Sequence, residues 1–177
     1  YENLGSIYDK TQRLRKMAYF ISDQLDLKKE KVEIAASISK TDLVSGLVGE
    51  FPELQGIMGK YFASNQGFEE DVSLAVSEHY LPISISSHVP KRPISYGLSI
   101  IDKLDTLVGF FLINEKPTSS KDPFALRRIA LGIIRTIVEN KKNLKANDLL
   151  IYSSSLYQDQ GHNFANDNLQ NELHSFL

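Results

Sequence analysis

The longest apolar stretch of the chain runs from Pro93 to Ile113 and has the periodicity of a helix. Its hydrophobic residues recur three and four positions apart, which predicts one helix that is buried on most of its sides. Three charges, on Asp102, Lys103 and Asp105, interrupt this stretch. Burying a charge is unfavourable unless it is paired or binds an ion. Asp102 and Asp105, three residues apart on one face, are therefore either a structural pair serving neighbouring helices or the remains of a metal site.

The same periodicity predicts helices on both sides of this central one, and no alternating strand pattern is longer than four residues. The predicted helices span residues 4–26, about 29–48, 53–63, 69–80, 122 to about 140 and 146–157, with a short helix in the last residues. Asp122 and Pro123 are typical of an N-cap and a first helical position. Arg13 is expected to lie outside the apolar stripe of the first helix, and residues 158–170 are expected to be loose. The predicted fold class is all-α.

Composition excludes several classes of protein. The chain has no cysteine, which excludes disulfides and Cys-ligated zinc. No uncharged apolar run reaches about 18 residues, so we expect no membrane span. With 42% hydrophobic and 24% charged residues, the chain has the composition of a soluble globular domain. It starts at Tyr1 inside a predicted helix, without a signal-peptide pattern, and we expect it to be a fragment of a longer protein.

The charge is unevenly distributed along the chain. The net charge is −2, yet residues 116–145 contain eight Lys or Arg and only two acidic residues. Residues 146–177 contain four acidic residues and no Lys or Arg. A basic block inside an acidic chain indicates a polyanionic partner. Within it, Arg127, Arg128 and Arg135 carry the forked guanidinium that suits phosphate, although a solvated helix face with local salt bridges has the same pattern.

Motifs of common enzymes are absent from the sequence. Neither GxxxxGK[ST], GxGxxG nor GxSxG occurs. The four histidines, His79, His88, His162 and His174, are not followed by Asp and are not spaced four residues apart. Metal sites usually have clustered ligands, so we expect none of these histidines to bind metal.

Three long stretches resemble one family. They are KTDLVSGLVGEFPELQGIMGKYFA (Lys40–Ala63), IIDKLDTLVGFF (Ile100–Phe111) and KDPFALRRIALGIIRTIVE (Lys121–Glu139). In this order they resemble the β subunit of the bacterial two-subunit glycyl-tRNA synthetase. The resemblance implies a fragment from the middle of that subunit. It implies an HD-like multi-helix domain over residues 1–145, then a C-terminal helix and linker over residues 146–177.

The resemblance also implies a metal site that has degenerated. An active HD site needs an early His, a His-Asp dipeptide and a later Asp. Asp102 matches the last of these, but Ser39 and Lys40 stand where the dipeptide is expected, and no histidine precedes His79. An ammonium group repels divalent ions, so we expect no metal and no phosphohydrolase activity. We expect Lys40 to be the charge partner of Asp102 instead.

For function, the resemblance implies ATP-dependent attachment of glycine to tRNA(Gly) by a cytoplasmic α2β2 ligase. In that family the α subunit holds the catalytic core that binds ATP and glycine, and the β subunit binds tRNA. The fragment is therefore expected to contain no catalytic residue and no cofactor, and to lack the anticodon-binding domain. Its partners would be the α subunit and tRNA(Gly), not a membrane.

The basic helix is the expected contact with the tRNA backbone. The candidate RNA-binding residues are Lys121, Arg127, Arg128, Arg135, Lys141 and Lys142. Three alternatives stay open. In the first, the KDPFALRR motif serves packing and capping only. In the second, the chain is a metal-dependent HD phosphohydrolase acting on nucleotides. In the third, it is a purely structural spacer.

Overall fold

The computed structural model describes residues 2–162 and 168–177, and these residues form helices and loops without any strand. The all-α class predicted from periodicity is confirmed. The α-helices are α1 (Ile7–Leu25), α2 (Lys29–Ile38), α3 (Gly46–Glu50), α4 (Ile57–Asn65), α5 (Glu70–Glu78), α6 (Pro93–Leu112), α7 (Leu126–Glu139), α8 (Ala146–Asp159) and α9 (Leu169–Phe176). Short 3-10 turns occur at Glu2–Leu4, Thr41–Val44 and Pro52–Leu54. None of the described helices is both long and apolar enough to cross a membrane.

Helix α6 is the centre of the fold, as its apolar run predicts. All of its 20 residues except Pro93, Thr106 and Phe110 are buried. Six other helices pack on it, namely α1, α2, α5, α7, α8 and α9. Pro93 is at the first helical position, where its missing N–H group leaves no hydrogen bond unmade. A helix surrounded in this way must be apolar on every side, and each polar group that it carries needs a partner from a neighbouring helix.

The second predicted helix, residues 29–48, is wrong in its length. Helix α2 ends at Ile38, and the chain continues through a 3-10 turn into the short helix α3. The reason is tertiary, because the turn places Lys40 and Asp42 inside the protein. The Asp42 carboxylate accepts a hydrogen bond from the backbone N–H of Gly56 at 2.6 Å. The third predicted helix is also shorter, because α4 begins only after Gly56, whose φ of 81° is not helical.

The predicted start of α7 at Asp122 and Pro123 is wrong by about one turn. The helix begins at Leu126, after Ala125 in the left-handed conformation with φ of 54°. The Asp122 carboxylate nevertheless accepts hydrogen bonds from the backbone N–H of Leu126, at 2.8 Å, and of Arg127, at 3.1 Å. Asp122 therefore satisfies two of the free N–H groups at the helix start, from a position upstream of the usual N-cap.

The last two helices pack on the same hydrophobic core as α1 and α6. They contribute Leu149, Leu150, Leu156, Tyr157, Leu169 and Leu173 to it. The short C-terminal helix predicted from sequence is confirmed as α9, while α8 extends two residues beyond its predicted end. Part of the segment predicted to be loose, residues 163–167, lies outside the described residues. The domain boundary expected at residue 145 stays a prediction.

Gly109 allows α8 to approach α6 closely, and its substitution tests this packing. A Cβ atom there would overlap the Tyr157 hydroxyl and lie 3.2 Å from Leu4 Cδ1. The Tyr157 side chain is fully buried and cannot move away freely. We expect Gly109→Ala to lower the free energy of unfolding by about 1–3 kcal/mol, measured by urea denaturation.

Gly49→Ala is the matched control. Gly49 also lies in a helix, but a Cβ atom there would meet nothing within 4 Å. This change should leave the free energy of unfolding unchanged or raise it by less than about 1 kcal/mol. Equal effects at the two positions would contradict the close approach of α8.

Candidate functional site

The two aspartates of α6 are buried, and each contacts two cationic side chains from other parts of the chain. Asp102 forms ion pairs with Lys10 Nζ at 3.1 Å and Lys40 Nζ at 2.9 Å. Asp105 forms ion pairs with Lys10 Nζ at 3.3 Å and Arg13 Nε at 2.7 Å. The Lys40–Asp102 pair expected from the sequence is therefore confirmed.

Lys40 lies in a pocket of polar and aromatic groups that surround its ammonium. Besides Asp102, the Lys40 Nζ atom is 2.7 Å from His79 Nε2 and 4.4 Å from the centroid of the Tyr80 ring. The His79 Nδ1 atom is 2.8 Å from the backbone oxygen of Val76. These partners assign the tautomer, in which Nδ1–H donates to Val76 and Nε2 accepts a hydrogen bond from Lys40.

Burial and neighbouring charges act together on these groups. Burial and the Lys40 ammonium hold the pKa of His79 well below its usual value, so the imidazole is neutral and can accept a hydrogen bond. Burial raises the pKa of Asp102, but the positive charges of Lys10 and Lys40 lower it by more. The resulting pKa is well below that of an ordinary carboxylate. Burial lowers the pKa of Lys40, although Asp102 partly opposes this.

His79 was not identified as a site residue from the sequence, although one signal was available. Val72, Ala75 and Val76 are buried on one face of α5, and His79 continues that face at the same helical spacing. A histidine on a buried face needs polar partners. One partner, the Val76 oxygen, is local, but the other, Lys40, is 39 residues away in the chain, so the local pattern could not identify it.

Arg13 is also buried, contrary to its expected place outside the apolar stripe of α1. It is 2% exposed and donates two hydrogen bonds to the Asp105 carboxylate, at 2.7 and 3.1 Å. Its guanidinium carbon is 3.8 Å from the centroid of the Tyr157 ring, and its Nη1 donates to Gln160 Oε1 at 2.6 Å. The correction has a physical reason, because Asp105 needs a partner and Arg13 is within reach on α1. This pair joins α1, α6 and α8.

Lys103 points to a different side of α6 and stabilises the loop after α5. Its ammonium donates hydrogen bonds to the backbone oxygens of His79 and Leu81, at 2.9 and 2.7 Å, and to Ser99 Oγ at 2.8 Å. These carbonyls belong to the end of a helix, where positive charge is favourable. Burial nevertheless lowers the pKa of Lys103 to about 8.

The buried network is rich in positive charge. Around Asp102 and Asp105 lie Lys10, Arg13 and Lys40. Within residues 2–162 and 168–177, no group of three or more His, Asp or Glu side chains is arranged to hold a metal ion. Ser39 is buried beside Lys40, and its hydroxyl donates to its own helix, at the oxygen of Ala36. The arrangement pairs both aspartates with cations of the chain itself and would repel a divalent cation.

The six candidate RNA-binding residues divide between the two ends of α7. Lys121, Arg127 and Arg128 are exposed near its start. Arg127 donates to the backbone oxygen of Thr118 at 2.7 Å, whereas no described residue accepts a hydrogen bond from the Arg128 side chain. Lys141 and Lys142 follow the end of the helix, about 20 Å away at 1.5 Å per residue. One short phosphate segment therefore cannot contact both ends.

Arg135 is used inside the chain. Its guanidinium donates to the backbone oxygens of Ile85, at 2.7 Å, and Ser87, at 3.1 Å, and it pairs with Glu139 at 2.8 Å. It attaches the loop after α5 to α7. Between this loop and the start of α7 is an open groove of about 610 Å³, which has Arg127 and Arg128 in its lining.

Comparison with known proteins gives one consistent result. Residues 1–177 match the family model described as glycyl-tRNA synthetase beta subunit. The glycine–tRNA ligase beta subunit of Pseudomonas fluorescens is 46% identical over 156 residues, which are 88% of this chain and 23% of the relative. That of Thermodesulfovibrio yellowstonii is 43% identical over 178 residues, 100% of this chain and 25% of the relative. The chain spans about a quarter of the length of these relatives.

The shifted pKa of Lys103 predicts how stability depends on pH. The native ammonium loses its proton near pH 8, whereas the unfolded side chain keeps it up to about 10.5. Between these values the unfolded state binds more protons, so the contribution of Lys103 to the free energy of unfolding rises from pH 8 to about pH 10.5 and is constant below pH 8. We expect the stability of the native protein relative to Lys103→Met to increase by about 2 kcal/mol from pH 7.5 to pH 10. Denaturant unfolding of both proteins measures this, and a constant difference would contradict it.

Proposed function

The chain belongs to the glycyl-tRNA synthetase β-subunit family, and we propose that it is a non-catalytic helical module that supports tRNA binding there. The parent enzyme would be a cytoplasmic α2β2 ligase that attaches glycine to tRNA(Gly), with ATP bound by the α subunit. The observation that carries the proposal is Arg128. It is exposed beside Arg127 at an open groove, and its side chain has no hydrogen-bond acceptor in the described chain.

The distribution of charge supports a phosphate-binding surface at the start of α7. The Arg128 guanidinium there can bind a phosphate through a fork of N–H donors, and Arg127, which donates to Thr118, adds a second positive charge beside it. Lys121 is exposed in the preceding loop and adds a third positive charge. Arg135 would act indirectly, since it holds the neighbouring loop. Lys141 and Lys142 would meet a more distant part of the RNA, if the same molecule follows the helix.

The buried network supports the view that the domain is HD-like with a degenerate metal site at Ser39, Lys40 and Asp102. The Lys40 ammonium lies between an imidazole nitrogen and a carboxylate, which are the ligand types that a divalent ion would use. In this proposal the Lys40 ammonium, which is covalently part of the chain, supplies the positive charge that a bound metal ion would supply. The same contacts argue against a surviving phosphohydrolase, because the two candidate ligands are already bound to Lys40.

Charge reversal at the start of α7 tests the tRNA contact. In the complete enzyme, Arg127→Glu combined with Arg128→Glu should weaken tRNA binding by at least ~10-fold near 50 mM salt, because two phosphate contacts are replaced by repulsion. Filter binding across a series of salt concentrations should also give a slope reduced by about 2.

Lys60→Glu is the control for this experiment. It reverses the charge of an exposed lysine on α4, away from the groove. Its tRNA affinity should match that of the native enzyme. If the double variant at Arg127 and Arg128 also retained native affinity, the chain would be a structural spacer and not a tRNA contact.

Replacing the fixed cation tests the HD-like proposal. Lys40→Asp removes the ammonium and adds a carboxylate near His79 and Asp102, so this variant should bind Co²⁺ or Mn²⁺. At a metal concentration 100 times the dissociation constant, binding should stabilise the fold by about 2.7 kcal/mol. Lys40→Met is the control, since it removes the charge without adding a ligand and should not bind. A folded Lys40→Asp protein that bound neither metal would contradict the proposal that this is a degenerate metal site.

A further inference from the structure

We propose that the groove at the start of α7 binds unpaired nucleotides of RNA, with a phosphate on Arg127 and Arg128 and a base on Ile85 and Leu131. This inference rests on the proposed function and deepens it, because it names the type of RNA that the site accepts. We call this feature the Arg128 groove. Its lining includes Ser84, Ile85, Asp122, Arg127, Arg128 and Leu131.

The apolar residues of the Arg128 groove are unusually exposed. Ile85 is 73% exposed, and Leu131 is 38% exposed on the facing side of α7. Ile83, in the same loop, is 66% exposed. Isolated apolar side chains on a surface need no explanation, but here they line one groove together with two arginines. The groove therefore presents both an apolar surface and a positively charged one to the same ligand.

This combination distinguishes unpaired RNA from a duplex. An A-form helix presents phosphates and 2′-hydroxyls at its surface, and its bases are stacked inside. Such a helix would contact the two arginines, but Ile85 and Leu131 would then contact water or charged phosphates and not an apolar base. An unpaired nucleotide offers a phosphate and an apolar base face within one residue. It is therefore the form of RNA that uses all of the groove.

The groove is held in shape before any ligand binds. Arg135 donates to the backbone oxygens of Ile85 and Ser87, which attaches one wall to α7. Within that wall, the backbone N–H groups of Ser84 and Ser87 are hydrogen-bonded to each other's hydroxyls at 3.0 and 3.1 Å. A site that needs little ordering loses less free energy when it binds. This assigns Arg135 a positioning role.

One acidic residue lies in the groove, and its charge is already engaged. The Asp122 carboxylate accepts from the backbone N–H of Leu126 and Arg127 at the start of α7. It also lies 3.9 Å from the Arg127 guanidinium. The N–H groups at this helix end are therefore occupied by Asp122, so the guanidinium groups, and not the helix end, would bind the phosphate.

A second cavity lies next to the Arg128 groove and shares Ala125 and Arg128 with it. Its volume is about 230 Å³, and its lining includes the apolar or aromatic residues Tyr80, Ile83 and Phe124 as well as the charged residues Asp102 and Lys103. Arg128 borders both cavities. A phosphate bound to Arg128 would thus lie beside two cavities, each lined by both apolar and polar residues. In this proposal the two cavities would accept two successive unstacked bases joined by that phosphate.

The test compares single-stranded and duplex RNA on the 177-residue chain. A short fluorescein-labelled RNA strand and the blunt duplex formed with its complement are titrated at low salt, about 50 mM, and followed by anisotropy. We expect the single strand to bind more tightly than the duplex. We expect Ile85→Ala combined with Leu131→Ala to weaken single-strand binding by about 5- to 10-fold and to leave duplex binding unchanged. Arg128→Gln should weaken binding of both.

The matched control removes exposed apolar side chains elsewhere. Ile57→Ala combined with Ile151→Ala alters two residues of similar exposure, on α4 and α8, outside the groove. This variant should bind both RNAs like the native chain. Because all four positions are substantially exposed, circular dichroism should show the same helix content in both double variants.

Three outcomes would overturn the inference, and they separate it from the proposed function. If the duplex bound as tightly as the single strand while Arg128→Gln still weakened both, the tRNA contact would stand and the groove would not be a base site. If the apolar variant left RNA binding unchanged but disrupted assembly of the complete enzyme, the groove would belong to a protein partner. If Arg128→Gln affected neither RNA, the proposed function would fail as well.

Discussion

The carboxylates of Asp102 and Asp105 lie inside the protein on α6, and the surrounding helices are arranged so that both are neutralised. Lys10 and Arg13 come from α1, and Lys40 comes from the turn after α2. Each aspartate pairs with two cations, so loss of one partner would leave a charge only partly compensated in a medium of low polarity. The three elements cannot move independently without exposing one of these charges. Helix α6 is therefore both the hydrophobic centre of the fold and the point at which its polar contacts converge.

The same network limits the chemistry that the chain can perform. His79 and Asp102 are the types of group that bind metals or transfer protons, but both are already hydrogen-bonded to the Lys40 ammonium. A second cation, Lys10, also contacts Asp102, at its other carboxylate oxygen. A substrate or ion would have to displace interactions that also hold the helices together. The proposed RNA contact lies instead where cations are exposed, at the start of α7.

Helix α7 shows how one residue type serves two purposes. Arg135 donates to backbone oxygens of the loop at residues 83–87 and so determines the shape of one wall of the Arg128 groove. Arg128, seven residues earlier, is exposed and lines that groove. Two turns of helix separate a cation that organises the surface from one that is available to a ligand. A row of positive charges along a helix is thus not by itself a continuous binding surface. The contacts with neighbouring segments show which arginine has a structural role and which is available to a ligand.

The sequence by itself determined the helical class, the central place of α6 and the need of its aspartates for partners. These follow from local periodicity and from the unfavourable burial of charge, which operate within a single helix. The Lys40–Asp102 pair could be proposed because the resemblance placed both residues in one motif set. Only the tertiary structure decided that Arg13 and His79 point inward, that α2 ends at Ile38 and that Arg135 binds the loop. The reason is physical, because the contacts of Arg13, His79 and Arg135 join residues 39 to 92 positions apart, and the Asp42–Gly56 contact after α2 joins residues 14 apart. Local spacing carries no information about which distant groups meet.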